Sequence, residues 1–163
     1  MSNLNLIYLY YSNRFQDSKN KFNFFDYDLD NTLLGLFDDK NILKLDVYNL
    51  LLQSTNSHHA LSSSNRKFYW NSIENFFEPV NYDSNPDIER NLPTTTTAFY
   101  RLPISENFIE SFDILEKNLK NLNIDKFHSK IKSSGLEISK ENIKKKINKI
   151  IHNLNRIKDI YFK

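Results

Sequence analysis

Two stretches decide the fold: SENFIESFDILEKNLKNL (105–122) and SKENIKKKINKIIHNLNRIKDIY (139–161). In both, apolar residues recur in alternating steps of four and three, which is the spacing of a helix that buries one narrow stripe. The stripes are Phe108, Phe112, Leu115, Leu119 and Leu122 in the first stretch, and Ile143, Ile147, Ile150, Leu154, Ile157 and Tyr161 in the second. The pattern predicts two long antiparallel helices.

Start and stop signals accompany these helices. Ser105 and Ser139 stand where a hydroxyl accepts a hydrogen bond from a first-turn amide, so both are predicted N-caps. The first stripe then breaks, and a new apolar phase over 124–131 predicts a short helix between the two long ones. Gly135 follows it and is predicted to end that helix in a left-handed conformation.

Length and composition are typical of one soluble domain, since 163 residues can bury a hydrophobic core without the help of disulfides or metal ions. The chain has no cysteine, which excludes disulfides, thiolate metal sites and a cysteine nucleophile. No apolar run approaches the roughly 20 residues that cross a bilayer, and the N-terminus lacks the basic and apolar regions of a signal peptide. We therefore expect no transmembrane segment and no secretion.

Amino-acid usage is lopsided, with 23 Asn and 17 Lys against 2 Gly and 4 Pro. Residues with AU-rich codons are favoured throughout, which predicts an AT-rich genome. Organelles, some protists, plasmids and large viruses have such genomes, and an organelle-encoded protein needs no targeting peptide. On this basis we expect a mitochondrial location, with the cytoplasm as the alternative.

Charge is unevenly distributed, although the net charge is only +2. Residues 1–115 hold 9 Lys and Arg against 15 Asp and Glu, a net −6, whereas residues 116–163 hold 13 against 5, a net +8. Such a split is typical of a basic arm that contacts RNA, DNA or an acidic partner. A Lys-rich solvated helix face explains it equally well.

The first part of the chain predicts mixed α and β structure. Leu4–Tyr11 and Phe22–Tyr27 are short β-prone segments. Residues 42–53 alternate like a strand but also carry a helical stripe, and their length favours a helix with Asp39 or Asn41 as N-cap.

A second helix is predicted after a polar loop over 54–65, with Asn65 as its cap and Pro79 as its end. Its apolar face comprises Tyr69, Ile73, Phe76 and Phe77. All four prolines fall between Pro79 and Pro103, in a run that lacks periodicity but is rich in apolar residues, which predicts an extended arm. The predicted division is 1–78, 79–104 and 105–163, in one α+β, mainly α-helical unit.

The segment Asp28-Leu29-Asp30-Asn31-Thr32-Leu33 resembles the first motif of the haloacid-dehalogenase-like phosphatases. By that resemblance Asp28 is the nucleophile, Asp30 the acid and base, and Thr32 a positioning residue, with Mg²⁺ as cofactor. The family's later motifs have no counterpart at the expected spacing. A Mg²⁺-dependent phosphatase is therefore an alternative, and the preferred prediction is a protein that is not an enzyme and has no cofactor.

Residues 131–150 resemble a helix-turn-helix, with a turn at Gly135 and a second helix that Ser139 caps. The residues that face phosphates by that resemblance are Lys144, Lys145, Lys146 and Lys149. The second helix continues to Tyr161 with an unbroken apolar stripe, which is more typical of a packing helix. Nucleic-acid binding through the basic C-terminal helices is the second alternative.

Histidines indicate no metal site, because His58 and His59 are adjacent and neither has a second ligand at helical spacing. The preferred function is a non-catalytic structural subunit that docks into a larger respiratory or ribonucleoprotein assembly. Its partners are other protein subunits, with RNA as a further contact of the basic segment. The predicted interface comprises Ile143, Ile147, Ile150, Leu154, Ile157 and Tyr161, together with Phe99 and Tyr100 of the arm.

Overall fold

The computed structural model describes residues 34–36, 38–61, 65–92 and 108–161. The protein is α+β and mainly α-helical, which confirms the predicted fold class. The described elements are helix α1 (Asp39–Ser54), a 3₁₀ helix (His58–Leu61), strands β1 (Lys67–Asn71) and β2 (Phe76–Val80), and helices α2 (Phe108–Lys120), α3 (Ile124–Ser133) and α4 (Lys140–Tyr161). The β-prone segments Leu4–Tyr11 and Phe22–Tyr27 lie outside the described residues.

Helix α1 confirms the helical interpretation of 42–53, but its N-cap is Asp38 rather than Asp39 or Asn41. The Asp38 carboxylate accepts a hydrogen bond from the Asn41 amide at 2.9 Å. The buried residues of α1 are Ile42, Leu45, Leu50 and Leu52, and also the polar Asp46, Asn49, Gln53 and Ser54. A helix buried on several sides lies inside a domain, and α1 packs against α2, α4, the 3₁₀ helix and β2.

Helices α2 and α4 run antiparallel. Phe108 is the first residue of α2 and Tyr161 the last of α4, and their rings meet edge to face with centroids 5.3 Å apart. Near the same end, the Lys158 ammonium lies 3.4 Å from the Asp113 carboxylate. The main core comprises Leu50, Leu52, Ala60, Leu61, Leu92, Phe108, Phe112, Leu115, Leu154 and Ile157. It is therefore built chiefly by α1, α2 and α4.

The turn between α3 and α4 has the predicted form. Gly135 has a φ of 84°, and its amide donates to the Lys132 carbonyl at 3.1 Å. The next amide, that of Leu136, donates to the Ile131 carbonyl at 3.3 Å. Together these bonds are a Schellman motif, in which glycine takes the left-handed position. Ser139 then caps α4, because its Oγ accepts a hydrogen bond from a first-turn amide at 3.1 Å.

Residues 67–80 form a β-hairpin, and the helix predicted there is wrong. β1 and β2 are antiparallel, with Trp70 opposite Phe77 and Phe68 opposite Pro79. Pro79 therefore lies within a strand instead of ending a helix. A strand tolerates proline where the missing amide faces away from the ladder, and the described sheet has only two strands, each with one free edge.

The turn of this hairpin explains why the helix does not form. The Asn71 side chain accepts hydrogen bonds from the amides of Ile73 and Glu74 at 3.0 and 3.1 Å. Asn75 adopts a φ of 50°, a left-handed conformation that asparagine tolerates. Asparagine side chains that bond to nearby amides compete with helix formation. Ile73, predicted on the apolar helix face, is instead 94% exposed at the turn.

Candidate interaction surface and polar cleft

Several predicted site residues lie outside the part of the chain that the structure describes. These are Asp28, Asp30 and Thr32 of the phosphatase-like segment, and Phe99 and Tyr100 of the arm. Their roles stay predictions. Within the described ranges, no group of three or more His, Cys, Asp or Glu residues is placed to hold a metal ion. Of the described helices, none combines the length and the apolar character that crossing a membrane requires.

The apolar stripe of α4 lies inside this chain. Leu154 and Ile157 belong to the main core, and Tyr161 packs against that core while half-buried. Ile143, Ile147 and Ile150 are also buried. The sequence assigned this stripe to an interface with a partner, and that assignment stays a prediction. Burial within one chain is sufficient to explain its spacing.

The α4 lysines predicted to face phosphates do not share one surface. At about 100° per residue, Lys144 and Lys146 point roughly 160° apart around the helix. Lys146 approaches the Glu89 carboxylate at 3.6 Å, and Lys149 donates to the Asn91 side-chain oxygen at 2.7 Å. Two of the four lysines are thus directed at residues 81–92 of this chain.

Lys144 lies on the opposite side of α4, near the start of α3. The pKa of Asp125 is lowered mainly by its hydrogen bond and ion pair with Lys140, and to a smaller extent by Lys144. Lys145 points outward and is exposed. Of the predicted set, Lys145 is therefore the residue most available to a phosphate.

Helix α3 exposes an apolar side to solvent. Apolar residues recur at Ile124, Phe127 and Ile131, yet none of the side chains of α3 is buried. Phe127 is 39% exposed, and Ile124 and Ile131 are half-buried. Exposed lysines stand on both sides of this stripe, namely Lys126, Lys130 and Lys132. We call these six residues the α3 surface.

The hairpin carries a second group of exposed apolar residues. Tyr69 and Val80 lie on the same face of the sheet, and Tyr82 follows β2; all three are exposed. The Lys67 ammonium stands 5.7 Å from the centroid of the Tyr82 ring. Of the residues that the sequence placed on the apolar face of a helix, Phe76 and Phe77 are buried.

A polar cleft of about 440 Å³ lies where the end of α1 meets residues 81–92. Its lining residues are Asn56, His58, His59, Asn85, Asp87, Arg90 and Asn91. The Asn56 side-chain amide donates to the carbonyls of Asp87 and Arg90, both at 2.9 Å. The Asp87 amide donates to the Thr55 carbonyl at 3.1 Å. These bonds fasten the loop to the end of α1.

The two histidines of the cleft have different surroundings. His59 Nδ1 lies 3.0 Å from the Asp83 carboxylate and 2.9 Å from the Asn65 side-chain nitrogen. Burial, and secondarily the positive charge of Arg90, lower the pKa of His58 below its usual value of 6.5. His58 is therefore neutral near pH 7.

Sequence reasoning missed this cleft. Asn56 and Asp87, which connect its two walls by a hydrogen bond, are 31 residues apart in the sequence. No periodic pattern relates two positions so far apart. The local signal was the density of Asn and Asp, which take left-handed backbone conformations more readily than most residues. Asn56, Asp83 and Asn85 do so here, with φ values of 55°, 47° and 41°.

No family model matches the chain, and neither a curated protein nor a solved structure is significantly similar to it. Function is therefore inferred from the residues and contacts described above.

Proposed function

We propose that this protein is an interaction subunit that binds a partner protein through the α3 surface. The observation that carries the proposal is that α3 has an apolar side but no buried residue. Helices of globular domains ordinarily bury their apolar side, as α2 and α4 do in this chain. Phe127 is the expected anchor, because large aromatic residues dominate the binding energy of protein interfaces.

The charges around Phe127 indicate the chemistry of the partner. Lys126 and Lys130 flank it on one side of α3, and Lys132 lies on the other. Residues 124–149 as a whole hold 8 Lys against 3 Asp and Glu. Complementary charge gives an interface its specificity and speeds association. The partner segment that fits is an acidic amphipathic helix, with apolar residues at steps of three and four and Asp or Glu beside them.

The contacts of the α4 lysines argue against nucleic acid as the partner of that helix. Phosphates need lysines on one face, whereas Lys146 and Lys149 are directed at Glu89 and Asn91. The mitochondrial location and the membership of a respiratory or ribonucleoprotein assembly stay proposals based on composition.

The test uses a labelled helical peptide built from Leu and Glu, with all Leu on one face, and measures binding by fluorescence anisotropy. A scrambled peptide of the same composition keeps the charge and loses the apolar face. We expect the patterned peptide to bind more tightly than the scrambled one. Phe127→Ser should weaken binding of the patterned peptide by roughly tenfold or more, since a hot-spot truncation costs about 2 kcal/mol.

Ile73→Ser is the matched control, because Ile73 is a more exposed apolar residue on a different element, and it should leave binding unchanged. Equal affinity for the two peptides would show that binding depends on net charge alone, and it would overturn the proposal. A separate arm uses oligouridylate RNA. Salt-steep RNA binding that survives Phe127→Ser but disappears when Lys145 is replaced would assign the protein to the nucleic-acid class instead.

A further inference from the structure

The polar cleft holds two opposite charges, Arg90 and Asp87, that do not form an ion pair with each other. In the described ranges, no carboxylate lies within ion-pair distance of the Arg90 guanidinium, and no cationic side chain lies within that distance of the Asp87 carboxylate. Both side chains nevertheless line the same cavity. Their backbones are joined, since the Arg90 amide donates to the Asp87 carbonyl at 3.3 Å. The two charges thus stand on a single turn of the loop.

The walls of the cleft are held in place from three directions. Asn56 at the end of α1 binds two carbonyls of the loop. Lys149 of α4 donates to the Asn91 side-chain oxygen at 2.7 Å. His59 of the 3₁₀ helix pairs with Asp83 at 3.0 Å. A site whose walls are fixed before binding loses less conformational entropy when a ligand arrives.

We propose that this cleft binds a small zwitterion, a free α-amino acid or a dipeptide, with the ligand carboxylate on Arg90 and the ligand ammonium on Asp87. A guanidinium presents a planar fork of donors that matches a carboxylate. A purely anionic ligand meets repulsion from Asp87, and a purely cationic one meets repulsion from Arg90. A ligand with both charges satisfies both residues.

Size and polarity agree with that ligand class. Small-molecule sites range from about 300 to 1,000 Å³, and this cleft measures about 440 Å³. Every lining residue within the described ranges is polar, so the site favours a hydrophilic molecule. The side-chain amides of Asn85 and Asn91 supply further donors for a peptide or side-chain oxygen. This inference is independent of the α3 surface and adds a ligand site to the proposed docking role.

The experiment titrates the whole protein with Ala-Ala and follows the backbone amide signals by two-dimensional ¹H–¹⁵N NMR. N-acetyl-Ala-Ala lacks the ammonium, Ala-Ala amide lacks the carboxylate, and free alanine separates the amino acid from the dipeptide. We expect Ala-Ala or alanine to shift the signals of Asn85, Arg90 and Asn91 saturably. Each blocked dipeptide should bind about tenfold more weakly or worse, because it loses a charge-assisted hydrogen bond.

Arg90→Gln and Asp87→Asn should each weaken binding by a similar factor. Both residues are exposed, and unchanged signals elsewhere in the spectrum verify that the variants fold. Phe127→Ser should leave the titration unaltered, so failure here and failure of the docking proposal are distinguishable. Absence of saturable shifts, or equal binding of the N-acetyl dipeptide, would overturn the inference. Tighter binding after Asp87→Asn would identify a simple anion site and overturn it as well.

Discussion

Replacing Leu154 by alanine tests whether α4 is a core helix. Leu154 is 1% exposed and belongs to the core that also contains Leu50, Phe108 and Phe112. A buried Leu→Ala change loses the transfer free energy of the removed carbons and leaves a cavity, at a cost of about 2–5 kcal/mol. Three helices surround this site, which limits how far it can collapse, so we expect a loss of about 3 kcal/mol.

Urea denaturation followed by circular dichroism measures this loss. The midpoint should fall while the slope against urea stays the same, and the melting temperature should drop by roughly 6–12 °C for a domain of this size. Asn155→Ala is the control, because Asn155 is the next residue along α4 and is exposed. It should change the free energy of unfolding by less than about 0.5 kcal/mol. Equal losses for the two variants would refute the placement of the α4 stripe in the core.

Two further predictions concern the turn after α3 and the cleft. Gly135 has a φ of 84° and open space where a Cβ would stand, so Gly135→Ala should cost about 1 kcal/mol through the backbone alone. Gly135→Asn should cost less, and equal losses in urea denaturation would contradict the left-handed assignment. Burial and the charge of Arg90 hold the pKa of His58 in the folded protein below 6.5. As the pH falls below about 6.5, His58 is therefore protonated in the unfolded chain before it is protonated in the folded one. The free energy of unfolding declines over this range, until the pH has passed the lower pKa of the folded protein. His58→Gln should lose less stability than the wild type between about pH 7.5 and about pH 5.5, and an unchanged pH dependence would count against this account of His58.

The sequence predicted the elements whose stability comes from one apolar stripe. Helices α2 and α4 follow the four-and-three spacing, and α3 begins where the phase of that spacing changes. Gly135 and Ser139 were recognisable because each satisfies a local hydrogen-bonding need at a helix end. Such signals lie within a few residues of one another, so they are visible in the sequence.

The hairpin and the cleft were not predictable in the same way. Apolar residues from Tyr69 to Phe77 match a helical face by spacing, but the hydrogen bonds of the Asn71 side chain favour a turn. Asp46, Asn49 and Gln53 of α1 recur in steps of three and four, but they are polar, so the apolar pattern of the sequence does not mark them as buried. The cleft depends on a hydrogen bond from Asn56 to a carbonyl in a distant loop. Those outcomes follow from tertiary contacts, which spacing along the chain does not encode.

In the folded chain, part of the positive charge of the C-terminal segment is paired with carboxylates of the same chain. Lys146 and Lys158 approach Glu89 and Asp113, so the basic segment meets carboxylates of the acidic one. Such exposed pairs contribute only about 0–1 kcal/mol each, and apolar burial, not charge, therefore holds α4 in place. These pairs nonetheless turn the ammonium groups of Lys146 and Lys158 toward other residues of the same chain. By contrast, no described carboxylate pairs with Lys130 on α3. Positive charge that no described carboxylate pairs with therefore stands next to Phe127, on the surface that we propose as the binding site of a partner.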